Sequence, residues 1–195
     1  MASGKKNASR RGAAIVFIDE TGFLMTPLVR RSWAPRGHTP KLTQRGRSRR
    51  KLSVIGALVI SPRRQRVHAY FAVQADTSFD GQRIVPFLQQ LCRALQVPVV
   101  LIWDRLAAHI GEPVKGWLAR NRHRIRAELL PPYAPELNPV ELIWGHAKCT
   151  SLANFAPIEF HELAMQAHLS VLEIGANPAL LRSFLRHCPL SFCLK

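Results

Sequence analysis

The sequence predicts an α/β domain, a mixed β-sheet flanked by helices, and three observations carry that prediction. Two short apolar runs rich in β-branched residues, Ala13–Ile18 and Pro98–Trp103, each stop at an aspartate, the pattern of a strand buried on both faces. Between them, Asp80–Leu95 switches to a helical period, with Ile84, Phe87, Leu88, Leu91 and Leu95 on one stripe. The order of elements is strands, helix, strand, helix, strand, helices, which suits one sheet with helices packed on it. At 195 residues and 47% hydrophobic composition, one core-forming domain is the expected size.

In chain order, residues 1–12 hold Lys5, Lys6, Arg10 and Arg11 among small polar residues and read as a basic flexible arm. They lack the apolar stretch of a secretory signal. Ala13–Ile18 is the first strand. Arg30–Ala34 is expected as a second, less buried strand, stopped by Pro35 and Gly37. Leu52–Ile60 and Arg66–Val73 are β-rich and flank the turn Ser61–Gln65, so they form a hairpin. After the helix 80–95 and the strand 98–103, Val114–Asn121 reads as helix and Ile125–Leu130 as a short strand ending at Pro131. From Asn138 a helix is expected to about Phe155, followed by helices near 158–174 and 178–187. Residues 13–175 are thus the domain and 176–195 a C-terminal helical tail.

Charge narrows the partners. With 28 Lys and Arg against 12 Asp and Glu, the net charge is +16, and a globular chain so basic calls for a polyanion, nucleic acid first. No apolar run approaches the roughly 20 residues of a membrane helix. The four cysteines make no Cys-x-x-Cys pair, which argues against a zinc ribbon or disulfide scaffold and for a reducing cytoplasm.

Three of the few acids stand at suggestive places. Asp19 and Asp104 each follow a buried strand, and ligands of open α/β sheets collect beyond the carboxyl ends of strands. Two carboxylates there would repel without a cation and form a site with one. Glu141 lies in Leu130–Trp144, where Asn138 is an N-cap and Pro139 occupies the first turn, so Glu141 is the third helical residue. Each acid also has a plainer reading: turn or cap residue for the aspartates, partner in a capping box for Glu141. Glu20 should point to the opposite face from Asp19, and Asp76 and Asp80 read as helix caps.

Together these segments resemble the DDE transposases of the insertion-sequence 630 and Tc1/mariner superfamily. Phe17–Gly22 is similar to the family's first-aspartate strand, Leu101–His109 to its second, and Leu130–Trp144 to its final block. Trp33 and Gly37 after Arg30-Arg31 fit the same pattern. The resemblance implies an RNase H-like fold and a catalytic, metal-binding triad of Asp19, Asp104 and Glu141. It also implies Mg²⁺ or Mn²⁺, with two ions as cofactor. The activity implied is metal-dependent DNA cleavage and strand transfer during transposition of an insertion sequence. One departure is Arg105, where the family commonly has Asn; it leaves the activity of this copy open. Two rivals share the acids: a structure-specific RNase H-like nuclease and a catalytically inactive DNA-binding relic.

The cations complete the expectation. Arg45, Arg47, Arg49, Arg50 and Lys51 form one cluster, Arg63 and Arg64 sit at the hairpin turn, and Arg105, His109 and Lys148 flank the acids. All are candidates for contact with double-stranded DNA, mostly through phosphates. Full-length family members carry a helix-turn-helix ahead of this region, so an upstream segment or frame is an expected partner, as is a second copy on DNA. A cytoplasmic, nucleoid-associated bacterial protein is the expected setting.

Overall fold

The structure is a computed structural model that describes residues 12–42, 50–190 and 194. The expected basic arm up to residue 11, and Arg45, Arg47 and Arg49, lie outside the described residues. Five strands make one sheet in the order β3-β2-β1-β4-β5. They are β1 (Ala14–Leu24), β2 (Lys51–Ile60), β3 (Val67–Ala75), β4 (Val99–Trp103) and β5 (Ile125–Leu129). β1, β2 and β3 pair antiparallel, while β4 runs parallel to both β1 and β5, so the sheet is mixed as expected.

Strand periodicity divides the core into two layers. Ile15 and Phe17 of β1, with Val100 and Ile102 of β4, face α4 (Pro139–Cys149), α5 (Phe160–Gly175) and α6 (Pro178–His187). Ala14, Val16 and Ile18, with Leu101 and Trp103, face α1 (Gly81–Leu95) and α3 (Glu112–Arg120). A four-residue helix, α2 (Ala107–Ile110), follows β4. Side-chain caps fix the helix starts: Asp80 accepts from the Arg83 amide, Asn138 from Val140 and Asn177 from Leu180.

The structure corrects five expectations. β1 does not stop at Asp19. It runs to Leu24 because β2 continues to pair with it, from Asp19 opposite Gly56 to Leu24 opposite Lys51. Arg30–Ala34 is not a strand. Residues 29–42 are exposed, Trp33 almost completely, and the only nearby pairing among the described residues is an isolated bridge between Leu28 and Ala153. α4 ends at Cys149, where Thr150 leaves helical geometry, instead of reaching Phe155. The helical part of the expected tail, α6, packs into the domain: its Leu181, Phe184 and Leu185 belong to the same core as α4 and β3. Asp76 caps nothing; its backbone has φ of 54° and its carboxylate pairs with Arg50 at 2.6 Å.

One glycine matters to the site. A Cβ on Gly56 would lie 2.7 Å from Cη2 at the tip of the Trp144 indole, which therefore occupies the space a side chain would need. Both residues are buried, so Gly56→Ala is expected to destabilise the fold by about 1–3 kcal/mol through overpacking. Urea unfolding checks this, and a near-neutral Gly56→Ala would show that the indole has room to move.

Candidate active site

Register places the two aspartates. The last paired residues of β1 and β4 are Phe17 and Ile102, and two residues further along the chain stand Asp19, within β1, and Asp104, just past the end of β4. Both therefore stand just beyond the end of the β1–β4 pairing, with Asp19 on the face that carries α4. Beyond Phe17 that side of β1 has no backbone partner in β4, which frees the Ile18 carbonyl. Asn138 uses it: its side-chain amide donates to the Ile18 oxygen at 3.0 Å while its own oxygen caps α4. The start of α4, and Glu141 in its first turn, are thereby fixed beside Asp19.

All three acids line one cavity of about 420 Å³, together with Arg105, Asn138 and the loop Leu130–Pro135. The Asp19 carboxylate is buried, and its Oδ2 accepts from the Trp144 indole N–H at 2.8 Å. Trp144 packs over Gly56 and orients Asp19 from there. The Asp104 Oδ1 accepts from the Leu106 amide at 2.9 Å and lies 2.7 Å from the His109 Nδ1. Glu20 points to the other face, as strand alternation requires, yet its Oε1 lies 2.9 Å from the His109 Nε2. Sequence reasoning missed this link, which joins residues 89 positions apart.

The cations divide. His109 was expected at DNA, but its side chain has no exposure and is spent on Glu20 and Asp104. Arg50 is engaged with Asp76 and lies over the Phe160 ring, and Lys51 donates to Ser78. Arg64 donates to the Ser61 carbonyl, with φ of 61° in the hairpin turn, while Arg63 beside it is exposed. Arg105 lines the cavity with its Nε on the Leu130 carbonyl at 3.3 Å. Lys148 stands near enough to Glu141 to favour its ionised form, and its ammonium is 6.0 Å from the Phe23 ring centre.

Electrostatics mark the cavity as short of positive charge. Burial, then the charges of Glu141 and Glu20, push the Asp19 pKa up to about 8, against the pull of the Trp144 hydrogen bond. Glu141 is also raised, by burial first and by Asp104. Among the described residues no three ligating side chains already converge as tightly as a metal's ligand set. The donor set is nevertheless all carboxylate oxygen, with Asp19 Oδ1 and Asp104 Oδ2 receiving no hydrogen bond from the described residues. Such hard donors, few in number and open to water, fit Mg²⁺ or Mn²⁺.

A pH dependence follows with a definite sign. Between 3.8, the ordinary value, and about 8, the folded chain keeps a proton on Asp19 that the unfolded chain has released. Stability of the metal-free protein therefore falls as pH rises through that window, by an amount on the order of 5 kcal/mol from this group. Urea unfolding in EDTA at pH 5 and pH 9 is expected to show the loss, and Asp19→Asn to remove it. A difference between the two pH values that survives in Asp19→Asn assigns the dependence to other groups.

A family profile described as DDE superfamily endonuclease matches residues 14–163. No curated protein sequence matches the chain. Among solved structures, the chain is similar to the Mos1 mariner paired-end complex with Mn, at a TM-score of 0.65 and 18% identity, over 96% of this chain and 57% of that one. It is similar to the Mos1 strand transfer complex at 0.64 and 17%, over 96% and 56%, and to the mariner Mos1 paired-end complex with Mg at 0.59 and 17%, over 95% and 58%. The shared fold is RNase H-like. The chain spans little more than half the length of these relatives.

Proposed function

The chain belongs to the DDE superfamily endonucleases, and on that premise we propose that it is the catalytic part of a Tc1/mariner-like transposase of an insertion sequence. Its reaction is hydrolysis of a phosphodiester at the element's end, followed by attack of the freed 3′-hydroxyl on target DNA. The observation that carries this reading is the placement of Asp19 in β1 and Asp104 just past the parallel neighbour β4, with Glu141 in the first turn of α4 and one cavity in common.

Asp19, Asp104 and Glu141 are the residues that would hold divalent cations, two in the proposed form. Bound there, Mg²⁺ or Mn²⁺ would supply Lewis-acid activation of the attacking oxygen and charge stabilisation of the leaving one. The chain's own contribution is placement. Trp144 and Asn138 hold Asp19 and the first turn of α4, and α4 directs Glu141 at the cavity. Arg105 and Lys148 sit where a scissile strand would pass, Arg105 on the cavity wall and Lys148 along the same helix as Glu141. No Ser or Tyr nucleophile is required, because water and then a DNA hydroxyl attack.

The partners proposed are duplex DNA, at element ends and target, an upstream helix-turn-helix segment that reads the ends, and a second copy. The similar mariner structures are paired-end and strand transfer complexes, which supports a pair of chains on DNA. No helix of the described residues is long and apolar enough to cross a membrane. A bacterial, nucleoid-associated location is part of the same proposal. Incubating supercoiled plasmid with the chain and Mg²⁺ or Mn²⁺ tests the reading: nicked circles are expected with either ion and none in EDTA. Nicking that persists in EDTA, or none with either ion, overturns it.

A further inference from the structure

We propose that Glu20 and His109 form a brace that orients the Asp104 carboxylate from the opposite face of the sheet, leaving Oδ2 as the oxygen offered to a cation; this rests on the metal-site reading above. Backbone pairing between β1 and β4 stops at Phe17 and Ile102. Past that level, the only direct side-chain link between the two strand ends among the described residues is Glu20 Oε1 to His109 Nε2 at 2.9 Å and His109 Nδ1 to Asp104 Oδ1 at 2.7 Å. The His109 Nδ1 also lies 3.4 Å from the Asp104 backbone oxygen, so each ring nitrogen faces oxygen acceptors.

Three features make this a built arrangement. The His109 side chain is fully buried, and Glu20 is only 14% exposed. The imidazole lies flat on the Trp103 indole, with ring centroids 4.4 Å apart and planes 6° from parallel, so packing fixes its plane. The Asp104 Oδ1 accepts from the Leu106 amide and stands 2.7 Å from the His109 Nδ1, which also faces the Asp104 backbone oxygen at 3.4 Å, so rotation of the carboxylate would give up a hydrogen bond and a close polar contact together. A short-helix cap alone would need neither Glu20 nor the stacked ring. Groups that orient a metal-ligating side chain typically change metal affinity by about 10–100-fold when removed.

The test reads Mn²⁺ binding by the intact chain in the absence of DNA, from the electron paramagnetic resonance signal of free Mn²⁺. Glu20→Ala is expected to weaken binding by about tenfold or more with thermal stability little changed. Glu20→Gln loses the same charge but keeps an oxygen to accept from Nε2, and is expected to recover binding to within about threefold of the parent chain. His109→Phe, which keeps a ring on Trp103 and removes both ring nitrogens, is expected to match Glu20→Ala, and it replaces that variant if Glu20→Ala does not fold. Parent-like binding by Glu20→Ala and His109→Phe overturns the brace. Equal losses in Glu20→Ala and Glu20→Gln also overturn it, because charge and not orientation would then be at work. Asp104→Asn separates the two readings: if it too binds Mn²⁺ as the parent does, the metal site itself has failed.

Discussion

Asp104→Asn is expected to lower metal-dependent nicking by about 10²–10³-fold, the scale of removing one preorganised charge-stabilising group, while leaving folding and DNA binding intact. The asparagine oxygen can still accept from the Leu106 amide, and the His109 Nδ1 keeps the Asp104 backbone oxygen, so the turn after β4 and the stacked imidazole keep their places. What changes is the other position of the carboxylate, which becomes an amide N–H₂, a donor where a cation needs an acceptor. Loss of one negative charge beside Asp19 and Glu141 also relieves repulsion, since both are raised in part by Asp104. The thermal midpoint in EDTA should therefore hold or rise. Nicking by the variant within tenfold of the parent, on folded protein, removes Asp104 from the catalytic set.

Much of this site was legible in the sequence because its parts are local. The apolar run before Asp19, the one before Asp104 and the Asn138-Pro139 helix start each announce a position within a few residues. What could not be read is how they meet. Asn138 reaches Ile18 across 120 positions, and Trp144 reaches Asp19 across 125. Neither contact leaves a periodic trace. The end of β1 is hidden for a related reason: loss of apolarity after Ile18 looks like a strand end, but a strand continues wherever a partner pairs with it, and β2 does so to Leu24. Arg30–Ala34 fails in the opposite sense, having strand-like residues and no partner for them. Alternation correctly sent Glu20 to the far face. That it returns to Asp104 through His109 depends on the four-residue helix α2, too short to announce itself by period.

DNA affinity is expected to fall about 10³–10⁵-fold between 50 and 200 mM salt if six to ten phosphates are neutralised, with little preference among duplex sequences. The net charge of +16 sets the expectation, and the structure refines which cations should carry it. Arg50 is engaged with Asp76 and Phe160, so Arg50→Gln alone should leave the slope of log affinity against log salt within about half a unit of the parent value. Arg47 and Arg49 belong to the same run, and replacing both with Gln should flatten the slope by roughly one unit for each phosphate that is no longer neutralised. Arg63 at the exposed hairpin tip offers a third comparison, at the far end of β2 from Arg50. Fluorescence anisotropy titrations on one duplex at four salt concentrations measure all of these. A slope that Arg50→Gln changes as much as the Arg47/Arg49 double variant would mean that DNA draws Arg50 away from Asp76. A slope that neither changes would move the interface off this cluster, toward the carboxylate cavity and the cations along its rim.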